Sequence, residues 1–278
     1  MAEPTPELHL HESVATDEPE RRRPPTFPSL SFTYAPAADR DTNLLILFHG
    51  LGDTRAPFSS LAKSLNLPQT ATLSLQGPQR VPLLEEEAYQ WWPSFDELGE
   101  LIANPNPTPT LTTLTAFLTY LTSSTPAGLG WPPSSIHFFG FAQGGSCAAQ
   151  LALAWSLLPP AASRSASHDL GTLVTISAPL LSHPTVTYKS QTKTLVVLRK
   201  GEERSVGVGS YRKGFENVQE VTLARGEGMP RGRQEWEEIM RFWAANLGNR
   251  SAIEFEKGVY EVRGGMGAAQ AANTNSKR

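Results

Sequence analysis

The chain has 278 residues, of which 39% are hydrophobic and 18% charged, with a formal net charge of −3. That length is ample for one large domain with a buried core, or for two small ones. The charge balance argues against a basic nucleic-acid surface, a single cysteine, Cys147, excludes an intramolecular disulfide, and no stretch approaches the ~18 consecutive apolar residues of a membrane helix.

Residues 1–26 are polar, acidic and proline-rich. They place acids and prolines where a secretory signal needs a basic start and an apolar run. A cytoplasmic protein with a disordered N-terminal tail is the expectation. The tail ends in Arg21, Arg22, Arg23, Pro24 and Pro25, which read as a solvated linker, with docking of a protein partner as the alternative.

Residues 27–250 alternate short apolar runs with helical patterns, the signature of a parallel sheet covered by helices. In chain order, strands are predicted at Leu44–Phe48, Ala71–Leu75, Ser135–Phe139, Leu173–Ser177, Thr194–Leu198 and Val218–Leu223. Each is nearly continuous in apolar residues, as a strand covered on both faces should be. Helices are predicted at Pro57–Leu65, Thr110–Leu121, Gln143–Leu158 and Arg233–Asn246. In the last of these, Trp236, Ile239, Met240, Phe242 and Trp243 form a core-facing stripe. Residues 251–278 read as a C-terminal extension: a short hairpin between Ile253 and Val262 through Gly258, then a disordered end. The fold class is α/β, a doubly wound, mostly parallel sheet with helices on both faces.

Two loops carry chemistry. The first is a strand running through Gly140-Phe141-Ala142-Gln143-Gly144-Gly145 into an apolar helix. That strand–turn–helix context is what a nucleophile elbow requires, because its tip residue is strained and its neighbours must be small. A phosphate-cradling turn is the competing reading, but Gly-x-x-x-x-Gly-Lys-Ser/Thr is absent and no Gly-x-Gly-x-x-Gly follows a strand. The second loop is His49-Gly50-Leu51-Gly52-Asp53, directly after the strand at Leu44–Phe48. It offers unobstructed backbone N–H groups, and the oxyanion donors of such a fold would be Leu51 N–H and Gln143 N–H. His49 reads as a structural histidine that orders the loop.

With these residues in view, the chain resembles the phospholipase/carboxylesterase/thioesterase family, which includes acyl-protein thioesterases. The resemblance rests on His49–Asp53, Gly77-Pro78, the Trp91-Trp92-Pro93-Ser94-Phe95-Asp96 segment and Gly140–Gly145, and covers roughly residues 40 to 247. It implies a serine-hydrolase fold acting on acyl esters or thioesters, an acyl or lipid-like small-molecule ligand, and no cofactor. Trp91 and Trp92 either line an acyl pocket or pack against the core.

The departures matter as much. Where the family carries serine, this chain has Ala142, which has no nucleophilic atom. Where the family carries its histidine, the chain reads Glu227-Gly228-Met229-Pro230-Arg231. The position matching the acid is Arg204, with Glu203 one register step away. Ser146 and Cys147 fall in the helix after the elbow, where helix start and core packing are the expected roles. His183 is a weak candidate base from a loop, and no metal-binding motif is present. The expectation is a family member that has lost nucleophile and base and binds an acyl ligand or a partner. The alternative is a weak hydrolase with a relocated nucleophile.

Overall fold

The continuous apolar runs supply six strands of a seven-stranded sheet. The computed structural model describes residues 8–12, 21–82, 84–158, 168–182, 184, 188–250 and 260–264. In chain order the elements are β1 (Leu8–Glu12), β2 (Phe32–Ala35), β3 (Asn43–Phe48), α1 (Arg55–Leu65), β4 (Thr70–Leu75), β5 (Gln79–Arg80), β6 (Tyr89–Gln90), α2 (Thr108–Thr122), β7 (Ile136–Phe141), α3 (Ala142–Ser156), β8 (Thr172–Ile176), β9 (Lys193–Arg199), α4 (Glu203–Val206), α5 (Val208–Gly214), β10 (Val218–Leu223), α6 (Gly232–Asn246) and β11 (Tyr260–Gly264).

The sheet runs β10-β9-β8-β7-β3-β4-β2. All neighbours are parallel except β2, which is antiparallel to β4. Alternate side chains of each strand enter opposite layers. Leu44, Ile46, Phe48 and Phe138 pack with α2, α3 and α5, whereas Leu45, Leu47, Phe139 and Val174 pack with α1 and α6. In α6, Ile239, Phe242 and Trp243 are buried, with Trp236 and Met240 partly so. β10 is the exception to coverage on both faces. It is an edge strand, and only Leu223 of its six residues is fully buried.

The folded unit spans Arg21–Asn249, so its start corrects the boundary expected near residue 27. The arginines are bound rather than solvated. Arg21 donates to Ala37 O at 2.5 Å and Ala38 O at 2.8 Å, and Arg23 to Gly128 O at 3.1 Å. Arg22 is buried, donates to Leu129 O at 3.1 Å and Gly130 O at 2.7 Å, and stacks 4.5 Å over the Trp131 ring. Carbonyls after β2 and after α2 accept from the guanidinium groups, a complementarity that composition cannot reveal. Separately, β1 and β11 pair antiparallel with Leu8 opposite Gly264. The hairpin expected at Ile253–Val262 lies largely outside the described residues, and the part that is described, in β11, takes β1 as its partner.

At the N-terminal end of the strands, His137 is fully enclosed. Its Nε2–H donates to Asn43 Oδ1 at 3.2 Å, and its Nδ1 lies 3.0 Å from Thr172 Oγ1. Burial pushes its pKa down to about 3, against about 6.5 in an unfolded chain. Between those values the unfolded chain binds a proton that the native one refuses. Stability is therefore expected to fall on acidification below about pH 6.5, by up to about 1.4 kcal/mol per pH unit from this group. Urea unfolding near pH 7 and near pH 5 should give a shallower dependence for His137→Gln than for the parent, and equal slopes would contradict the assignment.

Candidate functional site

β7 turns into α3 without a loop, and the turn is made at Ala142, whose φ is +47°. That left-handed conformation is costly for a residue with a Cβ. It is held by close packing: a Cβ on Gly144 would collide with the His49 carbonyl, and one on Gly140 would sit 2.6 Å from Gly145 Cα. The helix therefore starts directly against strand and loop. The elbow is built as the motif predicts, and its tip, half-buried, ends in a methyl group.

The loop after β3 is equally well made. His49 is buried, with Nδ1–H donating to Gly50 O at 2.7 Å and Nε2 accepting from Gly77 N–H at 2.8 Å and the Gln76 amide at 3.1 Å. Both ring nitrogens are engaged, and burial lowers the pKa, so the ring stays neutral and structural. Gly52 N–H donates to Tyr89 O at 2.9 Å, and Tyr89 N–H to Asp53 O at 3.1 Å. The Gln143 side chain accepts from Trp91 N–H at 2.8 Å and donates to Trp92 O at 3.1 Å and Ser94 Oγ at 2.7 Å. Its own N–H belongs to the first turn of α3, where helical N–H groups lack acceptors. Among the described residues, no acceptor is found for that N–H or for Leu51 N–H.

Trp91 and Trp92 take the packing alternative rather than lining a pocket. Trp91 is wholly enclosed, 5.1 Å from the Phe48 ring and 5.3 Å from His49, with its indole N–H on His49 O at 2.8 Å. Trp92 is buried in the same core. Ser146 and Cys147 are buried in α3, and enclosure pushes the Cys147 thiol pKa far up, so it is not a reactive thiolate.

The two carboxylates after β9 have different surroundings. Glu203 begins α4 at the surface, where its carboxylate accepts Gly201 N–H at 2.9 Å; that bond first, and other local bonds and nearby cations, lower its pKa. Glu202 is the carboxylate beside the sheet end: its Oε2 accepts from Ser177 Oγ at 2.8 Å and from Arg199 N–H at 2.8 Å. Ser177 follows β8 with a φ of +50°. Because Phe141 pairs with Ile176, Ser177, just past β8, stands level with Ala142, just past β7. No sequence motif marks this serine.

After β10, where the resemblance places a histidine, the chain is fastened to Arg199. This buried arginine, at the end of β9, donates to Ala224 O (3.3 Å), Gly228 O (3.2 Å) and Met229 O (3.0 Å). It also forms a bidentate pair with Glu235 at 3.1 and 3.0 Å. Arg199 first, then Arg231 N–H, hold the Glu235 carboxyl below its usual range. His137 and His168 lie towards the opposite end of the strands, and His183 falls outside the described residues.

The sheet order, the elbow and the loop after β3 define an α/β-hydrolase. Residues 32–202 match the phospholipase/carboxylesterase family, and the chain belongs to it. It is 37% identical over 230 residues to an uncharacterized hydrolase of Mycosarcoma maydis, covering 80% of this chain and 83% of that one. Among solved structures, the Zea mays acyl-protein thioesterase 2 superimposes with a TM-score of 0.57 at 20% identity, over 78% of this chain and 99% of that one. The Bacillus cereus carboxylesterase does so with a TM-score of 0.57 at 15% identity, over 78% and 94%. At those identities the likeness concerns the fold alone. Among the described residues no helix is long and apolar enough to cross a membrane.

Proposed function

We propose that this chain is a non-catalytic member of its family that holds an acyl ligand, or a protein partner, at a hydrolase-like elbow. The carrying observation is Ala142 at the strained tip. Beside it lie N–H groups suited to a carbonyl oxygen, but no side-chain oxygen at the tip to attack it. The Arg199 lock on the segment after β10 supports the same reading, since it occupies with structure the place where a base would stand. Short p-nitrophenyl esters test it directly. Turnover by the purified chain is expected at background, and rates on the order of 1–10³ s⁻¹, ordinary for enzymes, would sink the idea.

One observation favours a second reading, a weak ester or thioester hydrolase with a relocated nucleophile. Ser177 Oγ, just past the adjacent strand β8, is hydrogen-bonded to the Glu202 carboxylate at 2.8 Å. Fluorophosphonate labelling of Ser177, abolished by Ser177→Ala, would move the assignment to that reading. Residues 1–20, polar and proline-rich, are the segment proposed for a protein partner. Full partner binding after deletion of 1–20 would remove that role.

A further inference from the structure

Beyond the elbow, a cleft of about 520 Å³ opens between the segment before β2, the start of α1 and the turn after β4. Ser31, Arg55, Gln76, Gly77, Pro78 and Tyr89 line it. Its volume is within the ~300–1,000 Å³ of small-molecule sites. We propose that this cleft binds a small molecule through an oxyanion head group, a carboxylate or a phosphate, held by Arg55.

The argument begins with how Arg55 is fixed. Its Nε–H donates to Thr33 Oγ1 at 3.2 Å and its Nη1 to Ser31 Oγ at 2.9 Å. Neutral hydroxyls thus order the guanidinium without cancelling its charge. Among the described residues no carboxylate pairs with it. A guanidinium has five N–H donors in a planar fork, so two are used and three are left for a bidentate oxyanion.

The wall behind it is rigid. Gln76 is buried; its Oε1 accepts Arg55 N–H at 3.2 Å, its side-chain amide reaches His49 Nε2 at 3.1 Å, and its N–H donates to Ser31 O at 2.8 Å. Gly77 N–H is spent on His49 as well. A cation held in place before a fixed polar wall loses little freedom when it binds, which favours affinity. The lining does not include Ala142, Leu51 or Gln143; Gln76, Gly77 and Tyr89 back onto the loop after β3, and the ligand contact proposed here is made by Arg55 rather than by the elbow.

Thermal melts of the full chain with phenyl phosphate or benzoate at constant ionic strength test the proposal, with benzamide as the neutral control. A saturable rise in melting temperature is expected with at least one anion, and none with benzamide or with added sodium chloride. Which anion works separates a phosphoryl from a carboxylate ligand. Arg55→Met should weaken binding at least tenfold, the loss expected for a charge-assisted bidentate contact. Arg55→Lys keeps the charge without the fork, so it should weaken binding severalfold and covers the case in which the methionine variant fails to fold. No saturable shift with either anion, or undiminished affinity in the arginine variants, would overturn the site.

Discussion

The Ala142→Ser variant is expected to hydrolyse p-nitrophenyl butyrate no faster than the parent chain. A serine there would occupy the elbow tip with its backbone already at φ +47°, so geometry alone would not hinder it. What it would lack is a base. A serine hydroxyl is a poor nucleophile until a neighbour removes its proton, and losing the base alone costs about 10⁶ in kcat. His49 cannot serve, since its Nδ1 is bonded to Gly50 O and its Nε2 to Gly77 N–H after β4. Residues 224–231 contain no histidine, and the carbonyls of Ala224, Gly228 and Met229 are tied to Arg199. A rise of a hundredfold or more in kcat/KM for Ala142→Ser would reveal a working base at the mouth and defeat the non-catalytic reading.

Loss of the Arg199 side chain should have the largest effect on stability. Its side chain is 4% exposed and meets three carbonyls and the Glu235 carboxylate. Arg199→Ala would strand the three carbonyls in a partly dry environment, which costs about 3 kcal/mol at roughly 1 kcal/mol for each lost bond. For a unit of this size that lowers Tm by roughly 6–12 °C. The Arg199→Met, Glu235→Leu double variant should recover part of the loss, since it also removes the carboxylate left without its partner. The depressed Glu235 pKa adds a pH signature. Its contribution is complete above the unfolded carboxyl pKa, about 4.3, and disappears as pH falls through the lower native value. The gap between parent and Arg199→Ala should therefore narrow in acid. A Tm within about 2 °C of the parent near pH 7 would show that the lock is unimportant.

Much of the architecture was legible from local pattern. Buried parallel strands are apolar throughout, so β3, β4, β7, β8 and β9 stand out within a residue or two of their observed ends. β2 did not, because it is an antiparallel edge strand with every residue half-buried. The seven-residue α5 is too short to display a helical period. At the site, the elbow and the loop after β3 were readable because glycines and a fixed spacing are demanded by backbone geometry. Ser177, Glu202 and Arg55 were not, because the bonds Ser177–Glu202, Arg55–Thr33 and Arg55–Ser31 join residues 22 or more apart in the chain.

The sequence by itself determined the fold class, the strained elbow and the absence of a hydroxyl at its tip, for these depend on local spacing and on the identity of one residue. Tertiary structure decided what stands around that tip. It turned the basic stretch at Arg21–Arg23 into a strap of bound guanidinium groups, enclosed Trp91 and Trp92, and set the Glu202 carboxylate against Ser177 while Glu203 stayed at the surface. Those outcomes depend on which distant carbonyls, rings and hydroxyls meet across the sheet, and such meetings leave no periodic trace in the chain.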